Sequence, residues 1–231
     1  DANGCNINLN ITLTQPVAPF TLTAQATDVL CFGANTGSID LIPSGGTSPY
    51  AYIWSNSQTT EDITTLIAST YSVSATDNNG CTAFYTVQVS QPNQPIAIAN
   101  TISNVLCFGD STGAINLTIS GGTPGYTFNW NGGTYATEDI SVLPSGTFIV
   151  TVTDANNCQL NDTFFVAQPI SPLVSTVTSI DASCFGSSTG SIDLTVNGGT
   201  APYGYTWSTG ILTQDLSNIP IGWYYVTVTD A

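Results

Sequence analysis

The chain has 231 residues, 15 acidic side chains and no Lys, Arg or His, for a formal charge of -15. That balance excludes a nucleic-acid binder, which neutralises phosphates with Lys or Arg, and it repels an anionic membrane surface; no apolar run approaches the roughly 18 residues of a membrane span. Hydrophobic residues still make up 42% of the chain, enough to bury cores and unlike a disordered acidic tail.

From the N-terminus the sequence reads as one pattern repeated. Asp1 to Cys5 (DANGC) matches the end of a block that returns twice more, before Cys81 and before Cys158. Cys-Phe-Gly units then begin at Cys31, Cys107 and Cys184, giving a period of 76 and then 77 residues. After each comes a polar–apolar alternation (Ser38–Leu41, Ala114–Ile119, Ser191–Val196), the period of a half-buried strand. A Gly-Gly-Thr turn follows, with Gly46, Gly122 and Gly199 as second glycines. Next is a strand with alternating aromatics: Tyr50, Tyr52 and Trp54; Tyr126, Phe128 and Trp130; Tyr203, Tyr205 and Trp207. A further strand carries Tyr71, Val73 and Ala75, or Phe148, Val150 and Val152, or Tyr224, Val226 and Val228. It ends on a turn opened by Asp77, Asp154 or Asp230, where Gly and Asn supply the positive φ of tight hairpins. A closing strand holds Phe84, Val87 and Val89, or Phe164 and Val166. Gln-Pro joints at Gln15-Pro16, Gln91-Pro92 and Gln168-Pro169 end the ladders and limit bending between repeats.

No 3.6-residue stripe is sustained anywhere. The expected fold is therefore all-β, a tandem array of immunoglobulin-like or PKD-like β-sandwich modules with Pro-rich joints. Residues 1–16 read as the C-terminal strand of a preceding repeat, 17–92 and 93–169 as full modules, and 170–231 as a module lacking its last strand. Since Asp1 falls inside a repeat, the chain reads as part of something longer.

Candidate sites are few. Trp54, Trp130 and Trp207, with Tyr50, Tyr126 and Tyr203, share strand parity and are expected in the core rather than as a ligand-stacking platform. Trp223 breaks the pattern and reads as an exposed exception. Asp77, Asp154 and Asp230 are expected to cap backbone N–H groups in Asx-turns. Asp62, Asp139 and Asp215 also recur and are weak calcium candidates, because a calcium site needs six to eight oxygens and no dense acidic motif surrounds them; no cofactor is expected. Without His or Lys no base activates the many Ser and Thr, and a paired-carboxylate glycosidase would not repeat its scaffold three times. No enzyme is expected.

The cysteines are Cys5, Cys31, Cys81, Cys107, Cys158 and Cys184, and none forms a Cys-x-x-Cys. Two per repeat at fixed places read as disulfide chemistry outside the cytosol. Pairing across the 26-residue intervals gives Cys5–Cys31, Cys81–Cys107 and Cys158–Cys184; pairing within a repeat gives Cys31–Cys81 and Cys107–Cys158. A Greek-key sandwich would strain the second scheme and opens a bond between repeats. The spacing leaves the connectivity undecided.

The combination Cys-Phe-Gly, Gly-Ser-Ile-Asp-Leu, Gly-Gly-Thr-x-Pro-Tyr-x-Tyr-x-Trp and Val-Thr-Asp-x-Asn-x-Cys resembles the SprB repeat over nearly the whole chain, at residues 31–81, 107–158 and 184–230. Gly125, where the other copies have Pro49 and Pro202, and Asn157, in place of Gly80, depart from the pattern in loops only. The resemblance implies a giant cell-surface adhesin of gliding Bacteroidetes, exported by the type IX route and held at the outer surface. Implied partners are neighbouring repeats and, through the parent protein, the outer-membrane secretion and gliding machinery, with surface glycans as a further candidate. Two functions follow: a structural stalk, or a direct glycan- or surface-binding module. A stalk expects exposed residues to vary among copies, as Ala34-Asn35, Asp110-Ser111 and Ser187-Ser188 do.

Overall fold

The computed structural model describes residue 4 and residues 6–231. It holds seventeen β-strands and, among the described residues, no helix. The chain forms two compact units. One comprises residues up to Ile96 with the short segments Gly121–Pro124 and Ala155–Cys158; the other comprises the remainder.

In the first unit the strands are β1 (Thr21–Thr27), β2 (Gly37–Ser44), β3 (Ala51–Trp54), β4 (Ile63–Leu66), β5 (Ser69–Thr76) and β6 (Thr82–Val89). They form two antiparallel sheets, ordered β1-β2-β4 and β3-β5-β6. The chain switches sheets between β2 and β3, again into β4 and again into β5. This is the immunoglobulin-like sandwich in which alternate residues of both sheets meet inside. Ile39 and Leu41 from one sheet and Trp54, Val73 and Ala75 from the other close a single core with Ile63, Leu66 and Val89. On β6 the register places Ala83, Tyr85 and Val87 against that core and turns Phe84 outward, 75% exposed. Phe84 therefore does not share a face with Val87 and Val89, because a strand's side chains alternate with a period of two.

The second unit repeats the plan. Strands β7 (Ala97–Ser103), β8 (Gly113–Ser120) and β10 (Ile140–Leu143) form one sheet; β9 (Thr127–Trp130), β11 (Gly146–Thr153) and β12 (Gln159–Val166) form the other. Ile115, Leu143, Trp130, Val150, Val152 and Val166 are its buried residues with almost no exposure. Next, β13 (Val174–Ile180), β14 (Gly190–Asn197) and β16 (Leu216–Ile219) pair as before, while β15 (Gly204–Trp207) and β17 (Val226–Thr229) make a two-stranded sheet. Leu194, Trp207, Leu216 and Ile219 form that smaller core.

One irregularity recurs at the same place in every sandwich. Strands β4, β10 and β16 each carry one residue with no partner across the ladder: Thr65, Val142 and Asn218. All three have positive φ, 61°, 60° and 54°. The extra residue restores parity, so that both ends of a four-residue strand face inward: Ile63 and Leu66, Ile140 and Leu143, Leu216 and Ile219. A β-branched residue is strained at this φ, whereas Asn tolerates it. Val142→Asn is therefore expected to stabilise its repeat by about 1 kcal/mol, and Asn218→Val to destabilise its own. Thermal midpoints of the two variants should move in opposite directions; equal or reversed shifts would contradict the bulge argument.

Candidate functional site

Three local assemblies recur along the chain. The first surrounds the strand tryptophan. Trp54, Trp130 and Trp207 are buried, at 2%, 0% and 4% exposure. Their indole N–H groups donate to the carbonyls of Thr60, Thr137 and Thr213 at 3.0, 2.9 and 2.9 Å. Each of those threonines in turn donates its hydroxyl to the carbonyl two residues on, at Asp62, Asp139 or Asp215. The aspartate carboxylates accept the N–H of Leu41, Leu117 and Leu194 at 3.0, 2.8 and 2.9 Å. Strands β2, β8 and β14 run on beyond their short partners β4, β10 and β16, and the carboxylate takes a donor that the ladder leaves over. This Trp–Thr–Asp brace occupies the residues singled out as weak calcium candidates. Each lies beside at most one further acid, Glu61 or Glu138, or beside Gln214. Among the described residues no three His, Cys, Asp or Glu gather as a metal cage. Burial, and then a 2.8 Å hydrogen bond to Glu61, pushes the Tyr52 phenol up.

The second assembly ties the Asp turn to the Gly-Gly turn. Asp77 is buried and accepts the N–H of Thr47 (2.9 Å), Asn79 (2.9 Å) and Cys81 (2.8 Å). Asp154 is buried likewise, and Asp230 accepts the N–H of Thr200 at 2.8 Å. Gly46 and Gly199 sit so close to Asp77 and Asp230 that a Cβ would strike the carboxylate oxygen. Gly122, at φ 58°, donates its N–H to Gln94 O at 2.9 Å. Tyr50, Tyr126 and Tyr203 are half-buried rather than inside the core. For Tyr50 and Tyr203 the reason is visible: their hydroxyls reach out to Gly45 O and Gly198 O at 2.7 and 2.6 Å, and the Tyr50 ring stacks on Phe20 at 5.0 Å.

The third assembly is the pair of cysteine loops. Cys31 and Cys158 form a disulfide, with Cα atoms 5.6 Å apart and a sequence separation of 127. Beside it Asn156 donates its side-chain amide to Leu30 O at 3.1 Å and to Thr123 Oγ1 at 2.9 Å. Neither scheme offered by the spacing contains this bond. It excludes Cys5–Cys31, Cys158–Cys184, Cys31–Cys81 and Cys107–Cys158, and Cys81 and Cys107 are both free thiols, as is Cys184; all three are exposed. Sandwich topology is the cause. The Cys-Phe-Gly loop follows the first strand of one sheet, while the Asp turn joins two strands of the other. Cys5 lies outside the described residues.

The outer face of the β3-β5-β6 sheet shows what does not repeat. Ile53, Ser74 and Phe84 lie in register across it and line a shallow open groove. The same row reads Asn129, Thr151 and Asn161 in the second repeat, and Thr206 and Thr227 in the third. Other exposed aromatics are Phe165, Trp223 and Tyr225, and the Cys-Phe-Gly loops expose Phe32, Phe108 and Phe185, one in each repeat.

Strand order, repeated braces and recurring cysteine loops define a tandem immunoglobulin-like repeat. The sequence model of the SprB repeat matches three stretches of the chain, residues 23–59, 99–135 and 176–211. No curated protein matches it. Among solved structures, it is similar to three N-terminal domains of the highly immunogenic outer capsid protein of bacteriophage RB49, at 10% identity over 85% of this chain and 80% of that one, with a TM-score of 0.41. It is also similar to the N-terminal eight immunoglobulin domains of Down syndrome cell adhesion molecule, at 12% identity over 82% of this chain and 29% of that one (TM-score 0.44). A third similarity is to a tetra-tandem repeat in the extending region of a large adhesion protein, at 15% identity over 95% and 65% (TM-score 0.30).

The Asp77 turn makes a measurable prediction. Burial alone would raise the pKa of its carboxyl; the N–H groups of Cys81, Thr47 and Asn79 outweigh burial and hold it below the ordinary 3.8. A pKa depressed on folding contributes stability that is complete above the unfolded value and is lost as pH falls through the folded one. The melting temperature should therefore drop on acidification below about 4, and Asp77→Asn should lower it at neutral pH while flattening that drop. An unchanged pH profile in the variant would contradict the capping role.

Proposed function

We propose that these repeats form the non-catalytic stalk of a large cell-surface adhesin filament that serves surface attachment and gliding motility. The observation that carries this reading is the division between what repeats and what does not. Trp–Thr–Asp braces, Asp turns and cysteine loops recur in register, whereas the solvent-facing row changes from Ile53 and Phe84 to Asn129 and Asn161 to Thr206. A stalk selects for fold and joint and leaves the surface to drift; a binding face would keep its contacts. The charge of -15 suits a filament that must not adhere to its neighbours, since like charges repel. The disulfide fits an oxidising, extracellular setting. The resemblance supplies the rest of the proposal: export by the type IX route, an outer-membrane-associated filament, and partners in the secretion and gliding machinery. Calcium has no part in it.

A second reading, a direct glycan- or surface-binding module, is favoured by one feature, the groove at Ile53 and Phe84 on the first repeat. Deleting a set of repeats from the parent gene while keeping its ends separates the two. A stalk tolerates shortening with a graded loss of attachment and movement. Abrupt loss of attachment, or direct glycan binding by the isolated chain, would overturn the stalk in favour of the binder.

A further inference from the structure

We propose that Cys31–Cys158 is one rung of a regular covalent ladder, in which the Cys-Phe-Gly cysteine of each repeat bonds the cysteine that ends the Asp turn of the next. The inference rests on the repeat and its loops and holds whether the array is a stalk or a binder.

The Cys-Phe-Gly half of the rung is built alike in all three repeats, and the Asp-turn half alike in the first two. The Cys-Phe-Gly loop closes with the N–H of Ala34, Asp110 or Ser187 donating to the carbonyl of Cys31, Cys107 or Cys184, at 3.0, 3.1 and 3.0 Å. Its amide is held by the joint: Gly33 N and Gly109 N donate to the side-chain oxygens of Gln91 and Gln168 at 2.8 and 2.9 Å. The other half is the Asp turn, whose aspartate grips the N–H of Cys81 in the first repeat. Asn156, which docks on Leu30 O beside the bond, has its counterpart in Asn79. Asn79 is held in the same way, donating to Thr47 Oγ1 at 2.9 Å as Asn156 does to Thr123 Oγ1. Asn79 is thus set to receive a preceding repeat.

The register then accounts for the three free thiols. Carrying the 127-residue separation along the array puts the partners of Cys107 and Cys184 one repeat further on, and that of Cys81 one repeat back. All of those places lie outside residues 1–231. Exposed and held on ordered turns, the thiols present half-rungs.

Formation is ordinary thiol–disulfide exchange. One thiolate attacks a donor disulfide and displaces one of its sulfurs as thiolate. The second thiolate attacks the mixed disulfide, forming the protein S–S bond, and the donor's two sulfurs leave as thiols with the two electrons and two protons. A glutathione-class or protein disulfide serves as the oxidant.

The covalent consequence is specific. Where rungs are closed, a load path crosses every second bond and, from one to the next, only the 26-position interval from an Asp-turn cysteine to the following Cys-Phe-Gly cysteine, such as Cys158 to Cys184. That interval holds the last strand, the Pro joint and the first strand. The Trp–Thr–Asp braces lie off the path.

The test appends a copy of residues 156–169 directly after Ala231. Asp230 and Ala231 correspond to Asp154 and Ala155, so the addition completes the third repeat and places a cysteine where Cys158 stands in the second. The chain is oxidised with glutathione disulfide, digested with pepsin (trypsin has no site to cut) and mapped by mass spectrometry. The expected result is a new bond from the appended cysteine to Cys107, alongside Cys31–Cys158. In a Cys107→Ser version the appended thiol should stay reactive while Cys31–Cys158 still forms, which shows that the fold is intact. A bond to Cys184 or Cys81, a dimer between chains, or a free appended thiol under conditions that close Cys31–Cys158 would each overturn the ladder.

Discussion

A chain with 15 carboxylates and no cationic side chain has to satisfy its buried acids with its own backbone. That single constraint organises each sandwich. Asp62, Asp139 and Asp215 take the N–H that a short fourth strand leaves over, and Asp77 gathers three N–H groups into one turn. In a cationic protein either residue would be offered an ion pair; here each is fixed to main chain, which does not vary with sequence. Among the described residues no buried side-chain nitrogen or oxygen lacks a partner, as buried polar groups require. The braces in turn place the tryptophan that fills the space between sheets, and the turns place the cysteines.

Much of this was legible in the sequence. The 76–77 residue period, the alternation of Tyr50, Tyr52 and Trp54, and the turn residues gave the sandwich and its repeats, because hydrophobic period and turn chemistry are local properties. The core position of the tryptophans followed from strand parity. Local pattern could not reveal the bulges at Thr65, Val142 and Asn218, since three different residues occupy one conformation and only Asn is typical of it. Nor does a list of apolar residues on one strand tell that Phe84 lies on the face opposite Val87 and Val89. The roles of Asp62, Asp139 and Asp215 were open to a calcium reading for want of one fact, which strand N–H lacks a partner; a threonine two residues before each of them was the available signal.

The disulfide was the least legible feature. Sequence spacing invites pairing between near neighbours, at 26 residues or within a repeat, whereas the bond formed spans 127. Loop-closure entropy grows only slowly with loop length, so nearness in sequence is a weak guide, and position in the sandwich decides. Such a bond also constrains the unfolded chain more than a short one would.

The most direct test is to pull the chain by its ends, one molecule at a time, before and after reduction. With Cys31–Cys158 closed, the residues it spans cannot extend, so the fully stretched chain should be shorter by about 127 × 3.5 Å, or roughly 450 Å, and the first repeat should not unravel beyond its Cys-Phe-Gly loop. Reductant should release that length in full. An oxidised chain that reaches the same final length as the reduced one, or a hidden length that matches a single repeat or a 26-residue interval, would contradict the account.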